Sequence, residues 1–293
     1  MRYLLVGLLS LILVPIAQAN PFNGAVLISC NLASQAQVDP IVSFGVPSAH
    51  LHAFWGSDQA SATTTLPQML MGLTSCDLKS DKSLYWTPAG IAADGSMVFP
   101  TRSSFYYRAQ NRGVPIHPFP SGLRFVWGNP NNLSIQNAVA TWTCNGHSGR
   151  SIPTDCGGGG VQESIYVAPC WDGLDLGIGG GGHDSQPGNM AAAPGNPPQC
   201  PIDHPVNVPA LQYIINWPPA MVGGRLTSDQ MGATPGASAH VDFFNGWTFN
   251  SQGKDALSLL VNECLNVDGT NNTVTCRPVG GKILRNDGSY VTD

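Results

Sequence analysis

Short apolar stretches with a two-residue period, interrupted by glycine, proline and asparagine, dominate the chain. GLRFVWG at 122–128 and SIYVAP at 164–169 are aromatic or β-branched and bounded by turn residues, which predicts strands. LQYIINWP at 211–218 places Leu211, Tyr213, Ile215 and Trp217 on one face of an extended segment. A helical period occurs twice. TLPQMLMGL at 65–73 has Pro67 near its start and Leu66, Met69, Leu70 and Leu73 at helical spacing. DALSLLVNECL at 255–265 opens on Asp255, a capping residue, and carries Ala256, Leu260, Val261 and Cys264 along one stripe.

Between these elements lie tetraglycines at 157–160 and 179–182 and the tract PGNMAAAPGNPPQ at 187–199, none of which suits an element interior. The pattern predicts a mainly β fold: a single β-sandwich or jelly-roll-like domain with long Gly/Pro-rich loops and few short helices.

Composition sharpens this picture. Only 11% of the 293 residues are charged, against about 25% in an ordinary soluble domain. Helix bundles need charged outer faces, so this scarcity speaks against one. The formal charge is −5 and no basic run occurs, which speaks against a phosphate-tracking groove and hence against nucleic acid.

The N-terminus reads as an export signal. Met1 and Arg2 precede the apolar run YLLVGLLSLILVPIA, and Ala17-Gln18-Ala19 fits a small-x-small cleavage site. The expectation is a signal peptide over 1–19 and one secreted domain over 20–293, monomeric and without a membrane partner once the signal is removed. The run is short of the roughly 20 residues of a spanning helix.

Export makes the eight cysteines disulfide candidates, and none forms a C-x-x-C pair. Proximity suggests Cys144–Cys156, Cys170–Cys200 and Cys264–Cys276, which leaves Cys30–Cys76. Asn132 and Asn271 open glycosylation sequons.

Candidate chemistry centres on histidine. SAHLHAFWG at 48–56 puts His50 and His52 on one face if it is extended, and HVDFFNGW at 240–247 does the same for His240 and Asp242. His183 and Asp184 lie in a glycine-rich loop, and His204 follows Asp203. His117 and His147 occupy ordinary loop contexts.

Three readings compete. The first is a divalent metal of unspecified identity on His50, His52 and His240, because imidazole is the commonest metal-binding side chain. The second is metal-free acid/base chemistry by His50, His52, His183, His240 and Asp242. In the third, the histidines serve only structure. No G-x-S-x-G elbow is present, and the tetraglycines lack the Lys-Ser/Thr of a phosphate loop. Flat tryptophan faces beside polar groups suit sugar rings. Trp55, Trp171 and Trp247, with Asp172 and Asn245, are therefore candidate substrate-binding residues, although most tryptophans fill cores.

Six motifs occur in order: DPIVSFGVPSAHLHAFWG, TSCDLKSDKSLYWTP, FPSGLRFVWG, CWDG, CPIDHPV and HVDFFNGW. Over about residues 38–265 the chain resembles a family of secreted proteins of unknown function, found in filamentous fungi and some bacteria. Some members carry cell-wall or carbohydrate-binding domains. After CWDG the family pattern is D-H-x-S-H, whereas this chain has Gly182, His183, Asp184, Ser185 and Gln186. The first histidine is kept and the second is replaced. The resemblance implies membership and no established activity. The expectation is a protein that acts on extracellular polysaccharide or cell-wall glycan through a His/Asp-lined cleft; the competing expectation is a non-catalytic carbohydrate-binding or cell-envelope protein.

Overall fold

The computed structural model describes residues 24–110, 114–177, 188–195, 198–250, 253–267, 274–279, 282–285 and 288–291. The signal segment, His183, Asp184 and the second tetraglycine lie outside them.

Twelve strands share one curled sheet: β1 (Gly24–Val38), β2 (Pro47–Gly56), β3 (Leu84–Pro88), β4 (Arg102–Arg108), β5 (Arg124–Gly128), β6 (Ala140–Cys144), β7 (His147–Gly149), β8 (Val161–Tyr166), β9 (Ala210–Trp217), β10 (His240–Phe244), β11 (Val274–Val279) and β12 (Lys282–Arg285). Their main order is β5-β10-β3-β2-β1-β4-β9-β8-β6-β7. All pairings are antiparallel except β11 with β1.

β1 is the spine. Its first half pairs with β4 from Ala25↔Arg108 to Asn31↔Arg102, and its second half pairs with β2. Register shifts between Leu32 and Ser34 and between Ala36 and Val38 bend it between the two halves.

The bend folds the sheet over itself as a sandwich. Tyr85 of β3 stacks on Phe105 of β4 with centroids 4.0 Å apart. Tyr213 of β9 donates its hydroxyl to the Asp242 carbonyl of β10, at 2.7 Å. Trp55, Tyr85, Phe105, Trp142, Tyr213 and Phe243 are buried in this main core. Truncating one such ring to alanine costs about 3–5 kcal/mol.

The two helices are short. α1 (Leu66–Met71) starts after Thr65, whose N–H donates to Gln68 Oε1, and it stops where Lys82 Nζ takes the Leu70 and Gly72 carbonyls. α2 (Ala256–Leu260) begins with Asp255 accepting from Ser258 N and continues as a π-helical turn over Val261–Leu265. β8 starts before the stretch read from sequence and ends at Tyr166, ahead of Pro169, which has no N–H for the ladder. Three disulfides join the pairs that proximity suggested, Cys144–Cys156, Cys170–Cys200 and Cys264–Cys276, and the fourth joins the remaining pair, Cys30–Cys76. Among the described residues no helix is long and apolar enough to cross a membrane.

Glu163 is an acid buried inside the main core. Glu163 Oε2 accepts from Trp217 Nε1 at 3.0 Å, and burial pushes the carboxyl from its usual 4.5 up to about 8. Between those values the folded chain keeps a proton that the unfolded chain releases, so stability falls as pH rises through the window. Glu163→Gln removes that dependence. Its melting temperature relative to the parent should rise from pH 4.5 to 8 and level off above, an effect on the order of a few kcal/mol. A constant difference across the window contradicts the assignment.

Candidate functional site

The two faces of the β2-β3-β10 region differ because strand side chains alternate. Ala53, Trp55, Tyr85, Val241 and Phe243 enter the main core. Phe54, Trp86 and Phe244 point the other way, where Ile41, Leu84, Val126 and Met69 of α1 complete a second, smaller core. His50 and His52 share the parity of Phe54, and His240 and Asp242 share that of Phe244, so all four project on this outer side.

Register brings them together. Phe54 lies opposite Trp86, and Trp86 lies opposite Asp242. His52 lies opposite Pro88, and continuing the β3-β10 register places His240 level with Pro88 from the other side. Thr87 of the strand between them donates its hydroxyl to the His240 carbonyl. β5 closes the group. Gly128, opposite His240, adopts a φ of 111°, and a Cβ there would stand 2.8 Å from the His240 Cβ. Only glycine suits that conformation and that gap.

The resulting geometry is compact. His50, His52 and His240 are buried, and each offers a ring nitrogen such that the three atoms lie within 4.8 Å of one another. His50 Nε2 is 3.3 Å from His240 Nε2. His52 Nδ1 is 2.9 Å from the Val38 carbonyl, and His240 Nδ1 is 2.8 Å from the Ser238 carbonyl. A carbonyl only accepts, so both Nδ1 atoms carry the proton, and in the neutral ring Nε2 carries the lone pair. The backbone thus fixes the tautomer of two rings and leaves the lone pair of each on Nε2.

Asp242 adds buried acid. Its Oδ2 is 3.8 Å from His240 Nε2, and neither carboxylate oxygen accepts a hydrogen bond among the described residues. Burial, and then the nearby Asp39 carboxylate, hold this carboxyl well above the usual range. Asp39 turns one oxygen to the Ile41 and Val42 amides at the start of the β1-β2 connection, which roofs the outer core.

The other candidates sit elsewhere. Trp55 is a main-core residue, and Trp247 is buried with its indole N–H on Tyr107 Oη. Asn245 donates to the Phe119 and Pro120 carbonyls. Trp171 is half-buried on a small three-stranded sheet, its indole N–H on the Asp175 carbonyl, while Asp172 accepts from the Leu174 and Asp175 amides. His204 pairs with Asp203 and with the Gly188 carbonyl.

Sequence reading missed Asp39, the Val38 and Ser238 carbonyls, and Asp229. The two carbonyls carry no side-chain signal. Asp229 accepts from the amides of Leu226, Gly236 and Ser238 and from the Ser238 hydroxyl, at 2.7–3.2 Å. It thereby fixes the loop that presents the Ser238 carbonyl to His240. Asp229→Ala should lower stability by about 3 kcal/mol or more, because it strands buried amides. A loss under about 1 kcal/mol in chemical denaturation contradicts this role.

The comparisons with known proteins add family membership. The family model described as Domain of unknown function (DUF1996) matches residues 39–247, which include all three histidines and Asp242. Neither a curated protein nor a solved structure matches the chain. The sandwich that carries the three-histidine cluster therefore belongs to the DUF1996 family of domains of unknown function.

Proposed function

We propose that His50, His52 and His240 hold one divalent transition metal in an exported, disulfide-stabilised protein. The observation that carries this reading is the meeting of three buried ring nitrogens within 4.8 Å of one another, two of the rings being anchored through Nδ1. Two imidazoles at the tetrahedral angle on a metal with bonds of about 2.0–2.1 Å have nitrogens about 3.3–3.4 Å apart, and His50 and His240 present theirs at 3.3 Å.

The carboxyl of Asp242 supports the reading, since a cation supplies the charge its buried surroundings lack. An all-imidazole set suits copper or zinc, with copper favoured in affinity. Three protein ligands would leave a fourth position for water or a small substrate, and Asp242, 3.8 Å from His240 Nε2, would be the carboxyl available to exchange a proton there. Four disulfides and the lack of a spanning helix among the described residues are consistent with an extracellular setting. Extracellular polysaccharide or cell-wall glycan is the partner class we propose, bound outside at the half-buried Trp171 beside Asp172 and not at the buried histidines.

A purely structural cluster is the competing reading, because 3.3 Å also accommodates an N–H···N contact between His50 and His240. Titration separates the two. Chelator-treated protein should bind one equivalent of Cu(II) or Zn(II), and free metal at 100 times Kd should stabilise it by about 2.7 kcal/mol. His52→Ala should abolish that gain. A melting temperature that no metal moves, together with a destabilised His52→Ala, supports the structural reading and overturns ours.

A further inference from the structure

The main core holds a second polar device that the histidine cluster does not use. Tyr85 Oη donates to Asp81 Oδ2 at 2.6 Å. Tyr107 Oη lies 2.6 Å from Tyr85 Oη, and Trp247 Nε1 donates to Tyr107 Oη at 2.9 Å. Since the Tyr85 proton faces Asp81, Tyr107 is the donor to Tyr85. All donors in the chain thus point one way, from Trp247 through two phenols to a carboxylate. All four residues are buried.

Burial is the leading reason that both phenols are held well above their usual range and that Asp81 is raised to about 6. Asp81 thus gives up its proton far more readily than either phenol and is the group in the row suited to take one. Oxidation of Tyr85 must release its proton at the same time, and the acceptor is already in place.

The device connects to the other face of the sheet. Trp86 follows Tyr85 in β3 and turns outward, where its ring centroid is 5.6 Å from that of Phe54; Phe54 in turn is 6.0 Å from His52. The histidines and Asp242 are buried, so a large molecule does not reach them directly. An electron can.

We propose that Trp247, Tyr107, Tyr85 and Trp86 form a one-electron relay that delivers electrons to an oxidant generated from peroxide at the three-histidine centre, with Asp81 as the proton acceptor. This rests on the metal reading given above. The centre takes one electron by way of Trp86 from Tyr85; the Tyr85 O–H bond breaks and an O–H bond forms on Asp81. Tyr85 regains a hydrogen atom from Tyr107, and Tyr107 regains one from the Trp247 N–H. In sum the centre gains one electron, Asp81 gains one proton, and Trp247 is left as a neutral radical. Ascorbate, an outside reductant of the enediol class, then restores the Trp247 N–H by giving up a hydrogen atom, and Asp81 returns its proton to solvent; two such rounds supply the two electrons that, with the two released protons, reduce one hydrogen peroxide to two waters.

The test uses copper-loaded full-length protein, whose EPR spectrum reports imidazole coordination, treated with hydrogen peroxide and ascorbate. Oxidation is mapped by peptide mass spectrometry, with the exposed Met71 and Met231 as controls for diffusing oxidant. The parent should accumulate oxidation at Trp247. Tyr107→Phe, which keeps the ring, should lose it there, gain it at Trp86 and His52, and inactivate several-fold faster. Asp81→Asn should behave likewise and should lose the solvent-deuterium effect of the parent. Copper–imidazole coordination with the same oxidation map in Tyr107→Phe and Tyr85→Phe overturns the relay alone. Absence of that coordination overturns the centre itself, and the relay with it.

Discussion

The two-residue period of a β-strand decides what this protein can do. Along β2 it sends Ala53 and Trp55 into the main core and His52 and Phe54 to the opposite side. Along β10 it separates Val241 and Phe243 from His240, Asp242 and Phe244 in the same way. A slip of one residue in either strand would exchange an aromatic core for imidazoles and a carboxyl. The hydrophobic gain from the main core therefore fixes the register, and the register places the polar cluster. The cluster does not have to stabilise itself.

What surrounds those groups follows from where they lie. Among the described residues no lysine or arginine pairs with Asp242, which has His240 at 3.8 Å and the like charge of Asp39 nearby. Buried groups in that position are costly unless they are paired or neutralised. The fold tolerates them because the backbone does the orienting: Val38 and Ser238 carbonyls hold two rings, Gly128 lets β5 approach His240, and Asp229 anchors the loop behind Ser238. Such investment in the direction of two Nε2 atoms has a clear use if something binds between them.

Much of this was legible in the sequence, and the reason is local. H-x-H and H-x-D on extended segments share a face whatever the fold, so the pairing of His50 with His52 and of His240 with Asp242 followed from geometry alone. That the pairs meet depends on β3 lying between two strands whose histidines are 190 residues apart, which no local pattern reports. Parity held a signal that residue type obscured. Trp55 is three positions from His52, hence on the other face, and the structure gives it to the main core. The cysteine pairs were readable because three of them close loops of 12, 12 and 30 residues. The helices were readable from the spacing of their apolar residues, with Pro67 near the start of one and the capping Asp255 opening the other, but α2 changes to a π turn where Val261–Leu265 packs into the core.

A metal held here needs three imidazole nitrogens that converge on it. Anomalous diffraction from crystals grown with copper or zinc, recorded on both sides of the absorption edge, tests it most directly. The account predicts one strong peak about 2.0–2.1 Å from a ring nitrogen of each of His50, His52 and His240. A map with no peak there, and His50 and His240 instead in direct N–H···N contact, would contradict it.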